Sequence, residues 1–406
     1  MVYDSCPSLN YATYSYARRI INEKIKSSSS VKEKNKYADF LAKVYEKGRK
    51  YFPQKISYAD SKINLSIVYY ENKLKSNIEL FEILDDAFKK DKANFDKSRG
   101  FLCYFYTAVD TYKEGKKTLQ NVFGVYDNVM EKINEERDRI GKSNDKLLEK
   151  QQEGVLTGRD RKIMKFNEKT EENLDKVASS IDNKLGGLAN CDKLLPLYKK
   201  NINAHKNDAL WLRRAANRME EKDCTADPIF ITIVEYLHSI KSSAESAYYL
   251  GILNDRKRKY SEAIKYYNEA ISLSSDATKK GKISLKVAAK LKKVGKNQKA
   301  YGYAKKALSF SPSLGEAYLL IASIYSNSAN ACGSNTFEKR AIYWKAASIA
   351  KKASLVKPSL KNKVRKTVLS YEKRAPSKQD IFESGMAGKT ISFKCWIGGS
   401  VNVPKL

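Results

Sequence analysis

The chain has 406 residues, of which 42% are hydrophobic, and it carries 77 Lys and Arg against 46 Asp and Glu, a formal net charge of +31 at pH 7. The apolar content is enough for a packed core, and the scarcity of proline favours a nearly all-helical protein built as one elongated solenoid or two to three compact domains. No run of 18 apolar residues occurs, so no membrane-spanning helix is predicted.

The positive charge has two interpretations. Lysines spread over outer helix faces would keep an extended molecule in solution. Alternatively, the charge attracts an anionic partner such as nucleic acid, lipid headgroups or an acidic peptide. Lysine outnumbers arginine, no recognised nucleic-acid motif is present, and the basic runs Lys279–Lys280, Lys292–Lys293, Lys305–Lys306 and Lys351–Lys352 are short. We favour the first interpretation and expect nucleic acid to be an unlikely partner.

Residues 1–115 are predicted to form degenerate helical repeats. Tyr45 and Gly48 lie three positions apart ahead of Pro53, the spacing that recurs in a clearer repeat further along the chain. A proline ends a helix because it lacks an N–H donor and clashes with the preceding turn. Helices are predicted over 8–26, 32–52, 57–73, 77–90 and 99–113.

Residues 116–188 predict a long antiparallel helical hairpin. Its two helices carry apolar stripes at helical spacing, and Gly154 and Gly158 mark the turn between them. The stripes are thin, which favours an arm that is partly exposed and that projects from or braces a solenoid. A long repeat unit is the alternative. Residues 189–243 follow as a helical connector of three helices, with Pro228 near the start of the third.

The segment from Ala244 to Pro358 repeats itself with a period of about 34 residues, which is typical of stacked two-helix units. We predict three such units over 244–360, the third with an insertion at 326–337. Small residues at helix crossings permit close packing. Gly251 lowers the stability of its helix by about 1 kcal/mol relative to Ala, and the close approach of the second helix explains why Gly stands there. The recurring small positions are Gly251, Ala288, Ala322, Ala270, Ala307 and Ala353.

On these residues the chain resembles the tetratricopeptide-repeat (TPR) proteins. Leu250–Gly251, Ala263, Tyr267 and Ala270 match the family's pattern for its first and second helices, whereas Ala288 stands where the second unit would have Gly. The three units cover about 115 of the 406 residues. The Tyr/Ala-rich pattern together with the C-terminal tail also resembles exported TPR scaffold proteins of Gram-negative bacteria. The resemblance implies stacked units with a concave binding face.

The family's ligand-facing positions lie on the first helix of each unit. Carried onto this sequence, they predict a partner-binding groove formed by Tyr248, Tyr249, Ile252, Arg256, Lys282, Lys286, Lys293 and Leu320. Tyrosine offers broad apolar contact with a hydroxyl that still reaches water. We therefore expect the groove to hold an extended partner segment, preferably an acidic one. The alternative is that the tyrosines pack between repeats and the lysines are merely solvated.

Six cysteines and two histidines are scattered without zinc-site spacing, so no metal is predicted. Cys191 and Cys224 flank a helical hairpin, and Cys332 lies in the insertion near which the tail with Cys395 must fold back. An exported location would allow both pairs as disulfides, and the resemblance implies the cell envelope or periplasm. No signal peptide is visible at the N-terminus, so the alternative is a cytoplasmic protein, or a chain that lacks its natural beginning.

Residues 361–406 predict a capping helix and a β-hairpin tail, in which Thr390–Trp396 and Val401–Val403 pair across a turn at Gly398–Gly399. The string Met386–Thr390 ends like a phosphate-binding loop, but Glu383 stands where its first Gly is needed and a strand follows instead of a helix. No other catalytic motif occurs, so we predict neither an enzyme nor a cofactor.

The sequence thus predicts an all-α, TPR-type helical solenoid with a long helical hairpin and a small C-terminal β-hairpin. Its predicted function is that of a non-catalytic scaffold that binds segments of partner proteins in a groove. Two alternatives stay open. One is a binder of nucleic acid or another anionic surface through the charge of +31, and the other is a structural subunit of an envelope assembly that docks through 116–188.

Overall fold

The structure, a computed structural model, describes residues 2–406. One compact unit contains the residues up to Glu136 together with Asn173–Ala189, and the other contains Arg137–Glu172 and Asn190–Leu406. The predicted hairpin 116–188 therefore contributes its base to the first unit and its tip to the second, instead of forming a region of its own. No helix within residues 2–406 is both long enough and apolar enough to cross a membrane.

The first unit consists of paired helices. Its helices are α1 (Val2–Ser5), α2 (Ala12–Ser27), α3 (Val31–Tyr51), α4 (Tyr58–Glu71), α5 (Asn77–Lys90) and α6 (Ser98–Lys113). The start of α7 (Leu119–Gln152) and the end of α8 (Gly158–Leu185), which form the base of the hairpin, also belong to it. Helix α5 begins with a capping box, in which Ser76 and Glu79 satisfy each other's backbone N–H groups. Buried aromatic rings from three neighbouring segments fill the core, with Phe88, Phe95 and Tyr104 in mutual contact.

The second unit holds the clear repeats. Its remaining helices are α9 (Cys191–His205), α10 (Ala209–Glu221), α11 (Pro228–Ile240), α12 (Ala244–Arg256), α13 (Tyr260–Leu273), α14 (Ala277–Lys293), α15 (Asn297–Phe310), α16 (Gly315–Asn327), α17 (Thr336–Val356), α18 (Lys361–Glu372) and α19 (Lys378–Ser384). The first helices of four successive pairs start at 209, 244, 277 and 315. The predicted fold class, an all-α solenoid of the TPR type with a long hairpin and a small β-hairpin, is confirmed.

Close helix packing explains the glycine in the first clear repeat. A Cβ atom added to Gly251 would lie 2.3 Å from Cε1 of Tyr267, far inside contact distance. Tyr267 is fully buried, as are Ala263 and Ala270 on the same face of α13. Helices α12 and α13 therefore cross where the tyrosine ring occupies the space that a side chain at Gly251 would need.

Besides α7, five helices end in the same way, two of them in the first unit and three in the second. Each is followed by a residue in the left-handed conformation, with φ between 54° and 78°, and by a backbone N–H that bonds to the carbonyl five positions back. Only two of these residues are Gly, so the sequence alone does not show the pattern. The left-handed residues are Lys73, Gly115, Asp223, Arg258 and Gly295.

The tail packs against the last repeat. Strand β1 (Thr390–Ser392) pairs antiparallel with β2 (Ser400–Asn402), and Thr390 lies opposite Asn402. The first strand is shorter than predicted because the chain turns after Ser392, and the Trp396 ring packs between Tyr301 and Tyr325, with centroids 5.5 and 6.5 Å away. Four apolar tail side chains join the buried cluster of α16 and α17: Ile391, Phe393, Ile397 and Val403.

Candidate functional site

Three of the predicted groove residues belong to the core. Tyr248, Tyr249 and Ile252 are only 4%, 2% and 4% exposed. The Tyr249 ring packs edge-on against Phe230 of α11, because the preceding helix pair covers this face of α12. Burial raises the pKa of both phenols well above its ordinary value. These three side chains present no surface to a partner, and we remove them from the candidate site.

The lysines predicted for the groove have carboxylate partners within the chain. Lys286 lies 3.7 Å from Glu220, which also pairs with Lys290 at 3.1 Å, and Lys293 lies 3.2 Å from Asp223. The hydrogen bond from Lys293 holds the pKa of Asp223 below its usual value. Internal acidic residues therefore neutralise most of the charge that the sequence assigned to a partner.

Lys282 and Leu320 also face the chain itself. Lys282 forms an ion pair with Asp138 of α7. Leu320 is half-buried and packs against the C-terminal core cluster. Of the eight predicted residues, only Arg256 is exposed and has no carboxylate within 4 Å in the part of the chain that the structure describes.

Arg256 is one member of a group of cations on two neighbouring turns. The end of α12 and the turn after it contribute four consecutive cations, and the end of α14, the turn after it and the start of α15 contribute four more. The Nζ atom of Lys296 lies 2.8 Å from the centroid of the Tyr260 ring, which places the two turns side by side. We call this group the basic ridge: Arg256, Lys257, Arg258, Lys259, Lys292, Lys293, Lys296 and Lys299.

The ridge cations have few close carboxylate partners, although Asp223 interacts electrostatically with Arg256 and Asp255 with Lys296. Six of its eight residues are exposed, and Lys292 and Lys296 are half-buried. Within residues 2–406, Lys293 alone among them lies within 4 Å of a carboxylate. The first half of the ridge, the run Arg256–Lys259, is visible in the sequence as four consecutive cations, although only Arg256 of these was predicted as a site residue. That this run lies beside 292–299 becomes visible only in the fold.

The hairpin tip packs against the repeats of the second unit, where the chain passes from α15 to α16. Asp145 of α7 accepts hydrogen bonds from the Ser313 N–H at 2.9 Å and from the Ser311 hydroxyl at 3.0 Å. The Ser313 hydroxyl donates to the Gly141 carbonyl at 3.5 Å. Both serines are nearly fully buried, so these contacts are shielded from water.

Ion pairs surround these hydrogen bonds. Besides the pair between Asp138 and Lys282, Lys142 lies 3.2 Å from Asp276. The hairpin 137–172 thus braces the repeats of its own unit, one of the two arrangements that the sequence left open. We call the repeat residues that receive it the hairpin seat: Asp276, Lys282, Ser311, Ser313 and Lys357.

Lys357, at the end of α17, is the most enclosed cation of the seat. Its Nζ atom lies 2.9 Å from Glu171 of α8 and 2.8 Å from Glu316 of α16, and its side chain is 13% exposed. Burial by itself would lower the pKa of Lys357, but the two carboxylates raise it above its ordinary value. Burial likewise opposes the ionisation of Glu316, but Lys357 lowers its pKa. Each group therefore stays charged because of the other.

The cysteines predicted as pairs lie together. Cys191 and Cys224 form a disulfide with Cα atoms 5.4 Å apart, and Cys332 and Cys395 form one with Cα atoms 5.1 Å apart. The first tethers the start of α9 to the turn beside Asp223, and the second tethers the tail to the insertion of the third repeat. The remaining cysteines are the exposed Cys6 and the buried Cys103.

No cluster of His, Cys, Asp and Glu among residues 2–406 is arranged to hold a metal ion. The two histidines lie apart. His205 stacks on Trp211 with centroids 4.6 Å apart, and His238 contacts the hydroxyl of Ser246. His238 also lies 3.4 Å from the hydroxyl of Ser242, so its two ring nitrogens contact two serine hydroxyls.

The sequence matches no protein-family model and no curated protein. Among solved structures, it is similar to the human IFIT1 dimer with m7Gppp-AAAA (14% identity, 80% of this chain, TM-score 0.36), of which it spans 65%. It is also similar to yeast Tom70 (12% identity, 91% of this chain and 83% of that one, TM-score 0.28) and to the P58(IPK) TPR domain (10% identity, 91% and 96%, TM-score 0.23). At these TM-scores the function must be argued from the chain's own residues.

Proposed function

We propose that the chain is a non-catalytic scaffold that binds an acidic segment of a partner protein along the basic ridge. The observation that carries this proposal is that seven of the eight ridge cations have no carboxylate within 4 Å among the described residues. Like charges held this close together repel one another, and an acidic ligand relieves that repulsion. The ridge thereby replaces the tyrosine-lined groove as the candidate site.

The charge of the surrounding repeats supports the same ligand. Residues 190–406 carry 41 Lys and Arg against 17 Asp and Glu, a formal net charge of +24. A field of this sign attracts acidic partners over distances comparable with the Debye length, about 8 Å at physiological ionic strength. The ridge would therefore gain both association rate and affinity for an acidic segment.

The chemistry of the ridge favours protein over nucleic acid. Six of its cations are lysines, which bind carboxylates as point charges without the planar fork of arginine. The aromatic ring within it, Tyr260, has Lys296 against its face. Proteins that bind single strands stack bases on exposed aromatic rings, and Lys296 already covers one face of this partly exposed ring.

A charge-reversal experiment tests the proposal. The ridge variant carries Lys257→Glu, Lys259→Glu and Lys299→Glu, and the control variant carries Lys265→Glu, Lys306→Glu and Lys352→Glu, exposed lysines away from the ridge with the same total charge change. We expect the ridge variant to bind a fluorescent 16-residue polyglutamate peptide at least tenfold more weakly than the control at 0.15 M salt. Equal losses in both variants would refute the ridge as the site.

The same measurement separates the alternatives. A single-stranded RNA that binds more tightly than the peptide, and whose affinity falls steeply with salt through counterion release, would favour the nucleic-acid function. Native mass measurement bears on the alternative of a structural subunit, which predicts a stable assembly of defined stoichiometry. Crosslinking followed by pull-down from the native organism would then identify the protein partner.

An oxidising location, the cell envelope or periplasm, is part of the proposal. Support comes from the two cysteine pairs, since disulfides persist outside the reducing cytosol. Protein alkylated at lysis under non-reducing conditions should show two free thiols, Cys6 and Cys103, out of six cysteines. Six free thiols would place the protein in a reducing compartment.

A further inference from the structure

We infer that the hairpin seat is a second binding site, which takes a partner helix with two carboxylates on one face and which the tip of the hairpin occupies within this chain. The seat lies at the start of α14 and between successive repeats, whereas the ridge lies at the other end of α14. Lys282 and Lys293 are eleven residues apart on that helix, about 16 Å along its axis. The inference is therefore independent of the proposed function.

The seat binds carboxylates at three places. Lys282 supplies an ammonium group to Asp138. Ser311 and Ser313 supply a hydroxyl and a backbone N–H to the two oxygens of Asp145. Hydrogen bonds to a charged acceptor are about twice as strong as neutral ones, and burial of both serines strengthens them further.

Lys357 is the third place at which the seat binds a carboxylate. Its ammonium group binds Glu171 from α8 and Glu316 from the repeats, so one hairpin carboxylate completes a buried group of three charges. A vacated seat would leave Lys282 and the Ser313 N–H without their acceptors. Water would hydrate these donors in a vacated seat, so the preference for a carboxylate-bearing helix rests on charge-assisted hydrogen bonds and on Lys357, which would keep only Glu316 as its counter-charge among the described residues.

The spacing of the hairpin residues defines the ligand. Asp138, Gly141, Lys142 and Asp145 stand at positions i, i+3, i+4 and i+7 of α7 and therefore share one face of the helix. The two carboxylates lie two turns apart, about 10.5 Å along the axis. Between them Gly141 faces Thr278, where an added Cβ would lie 3.4 Å from Cγ2, so a residue as small as Gly or Ala fits there and a larger side chain would meet Thr278. The matching partner is a helix with two carboxylates seven residues apart and a small residue between them.

The inference requires that the hairpin leaves the seat as a body. Its two helices are tied to each other by the ion pair between Lys150 and Asp160 at 2.9 Å and by hydrogen bonds from Asn167 to Ser143 and Asn144, which would hold them together. Leaving the seat breaks the half-exposed pair between Lys142 and Asp276 and also the enclosed pair between Lys357 and Glu171, so we expect the vacated state to be a minor one in the unchanged chain. A tethered segment competes at an effective concentration in the millimolar range, so it masks the seat from weaker ligands in solution.

The test uses the full chain and a fluorescent peptide with the sequence of residues 136–151. In the variant with Asp138→Asn and Asp145→Asn the tethered hairpin no longer competes well, and we expect it to bind the peptide at least tenfold more tightly than the unchanged chain does. Two control peptides should not show this gain: one carries the same two Asn substitutions, and the other carries Gly141→Leu, which cannot approach Thr278. Equal affinity of both chains for the peptide would overturn the inference.

Two further measurements guard against a variant that simply misfolds. Unchanged circular dichroism and melting temperature would show that the Asn substitutions preserve the fold. Adding Lys282→Ala to that variant should abolish the gain, whereas adding the three ridge substitutions should leave it intact, which separates this site from the ridge. In the unchanged chain, saturating peptide should increase hydrogen exchange within 137–172, and unchanged exchange there would show that the hairpin stays in place.

Discussion

The predicted groove and the basic ridge share helices α12 and α14, together with Arg256 and Lys293, and yet their other side chains differ in what they face. The groove residues face other parts of the chain: Tyr249 contacts Phe230, Lys286 lies near Glu220 and Lys282 pairs with Asp138. The ridge residues face outward with a single carboxylate partner between them. A residue type suited to binding is therefore a poor guide to a site until its internal partners are known.

The largest effect that would sharpen this comparison comes from Tyr249. Tyr249→Ala should lower the free energy of unfolding by about 3–5 kcal/mol, because it leaves a cavity where a buried aromatic ring was. Tyr260→Ala, at the partly exposed ring of the ridge, should cost no more than about 1 kcal/mol, the value of its contact with Lys296. Urea denaturation measures both. Equal small losses would return Tyr249 to the list of ligand contacts.

A substitution at Lys357 tests whether a cation of the hairpin seat contributes more to stability than an exposed cation does. Lys357→Met should cost about 3 kcal/mol, since it removes the ammonium group that the enclosed Glu171 and the half-exposed Glu316 share. Lys352→Met, at an exposed lysine on the same helix, should stay within about 0.5 kcal/mol. Thermal and urea unfolding of the two variants should therefore diverge. A stability for Lys357→Met like that of the control would break the distinction.

Ala270 tests the helix crossing beneath the ridge. Ala270→Leu should destabilise the chain by about 1–3 kcal/mol through overpacking, because Ala270 is fully buried on the inner face of α13. Ser272→Leu, two residues on and exposed, is the matched control and should leave the melting temperature nearly unchanged. An unaltered melting temperature for both variants would contradict the crossing as described.

Arg258 offers a gain in stability in place of a loss. Its φ of 57° is left-handed, which costs a non-glycine residue about 1–2 kcal/mol, and Gly295 stands at the equivalent place in the next turn. Arg258→Gly should recover about 1 kcal/mol while removing one ridge charge. Arg256→Gly removes the same charge from a helical position and should bring no gain. Peptide affinity should fall by a similar small factor in both.

Acid should weaken the seat before it affects the ridge. The folded pKa of Glu316 lies below its ordinary value of 4.5, so the stability it contributes is fully present above that value. It is lost as the pH falls through the lower folded pKa. The difference in free energy of unfolding between the unchanged chain and Glu316→Gln should therefore shrink between about pH 6 and pH 3. A constant difference over that range would contradict the ion pair with Lys357.

Periodic features of the fold were accessible from the sequence. The small residues at Gly251 and Ala270 predicted a close helix crossing because only a small side chain fits beneath the Tyr267 ring, and the structure has that crossing. Repeat turns such as those at Lys73 and Asp223 were hidden. Their left-handed conformation is imposed by the helices on either side, and a Lys or an Asp in the sequence does not by itself predict that conformation.

The sequence by itself determined the helical repeats, the hairpin and the tail, because each depends on local spacing of apolar and small residues along the chain. Only the tertiary structure decided which charges remain available. Asp138 and Lys282 are 144 positions apart, and no local pattern connects them, yet packing of the hairpin brings them into an ion pair. The position of the candidate site follows from these long-range pairings, since an ion pair within the chain has to break before its cation can bind another carboxylate.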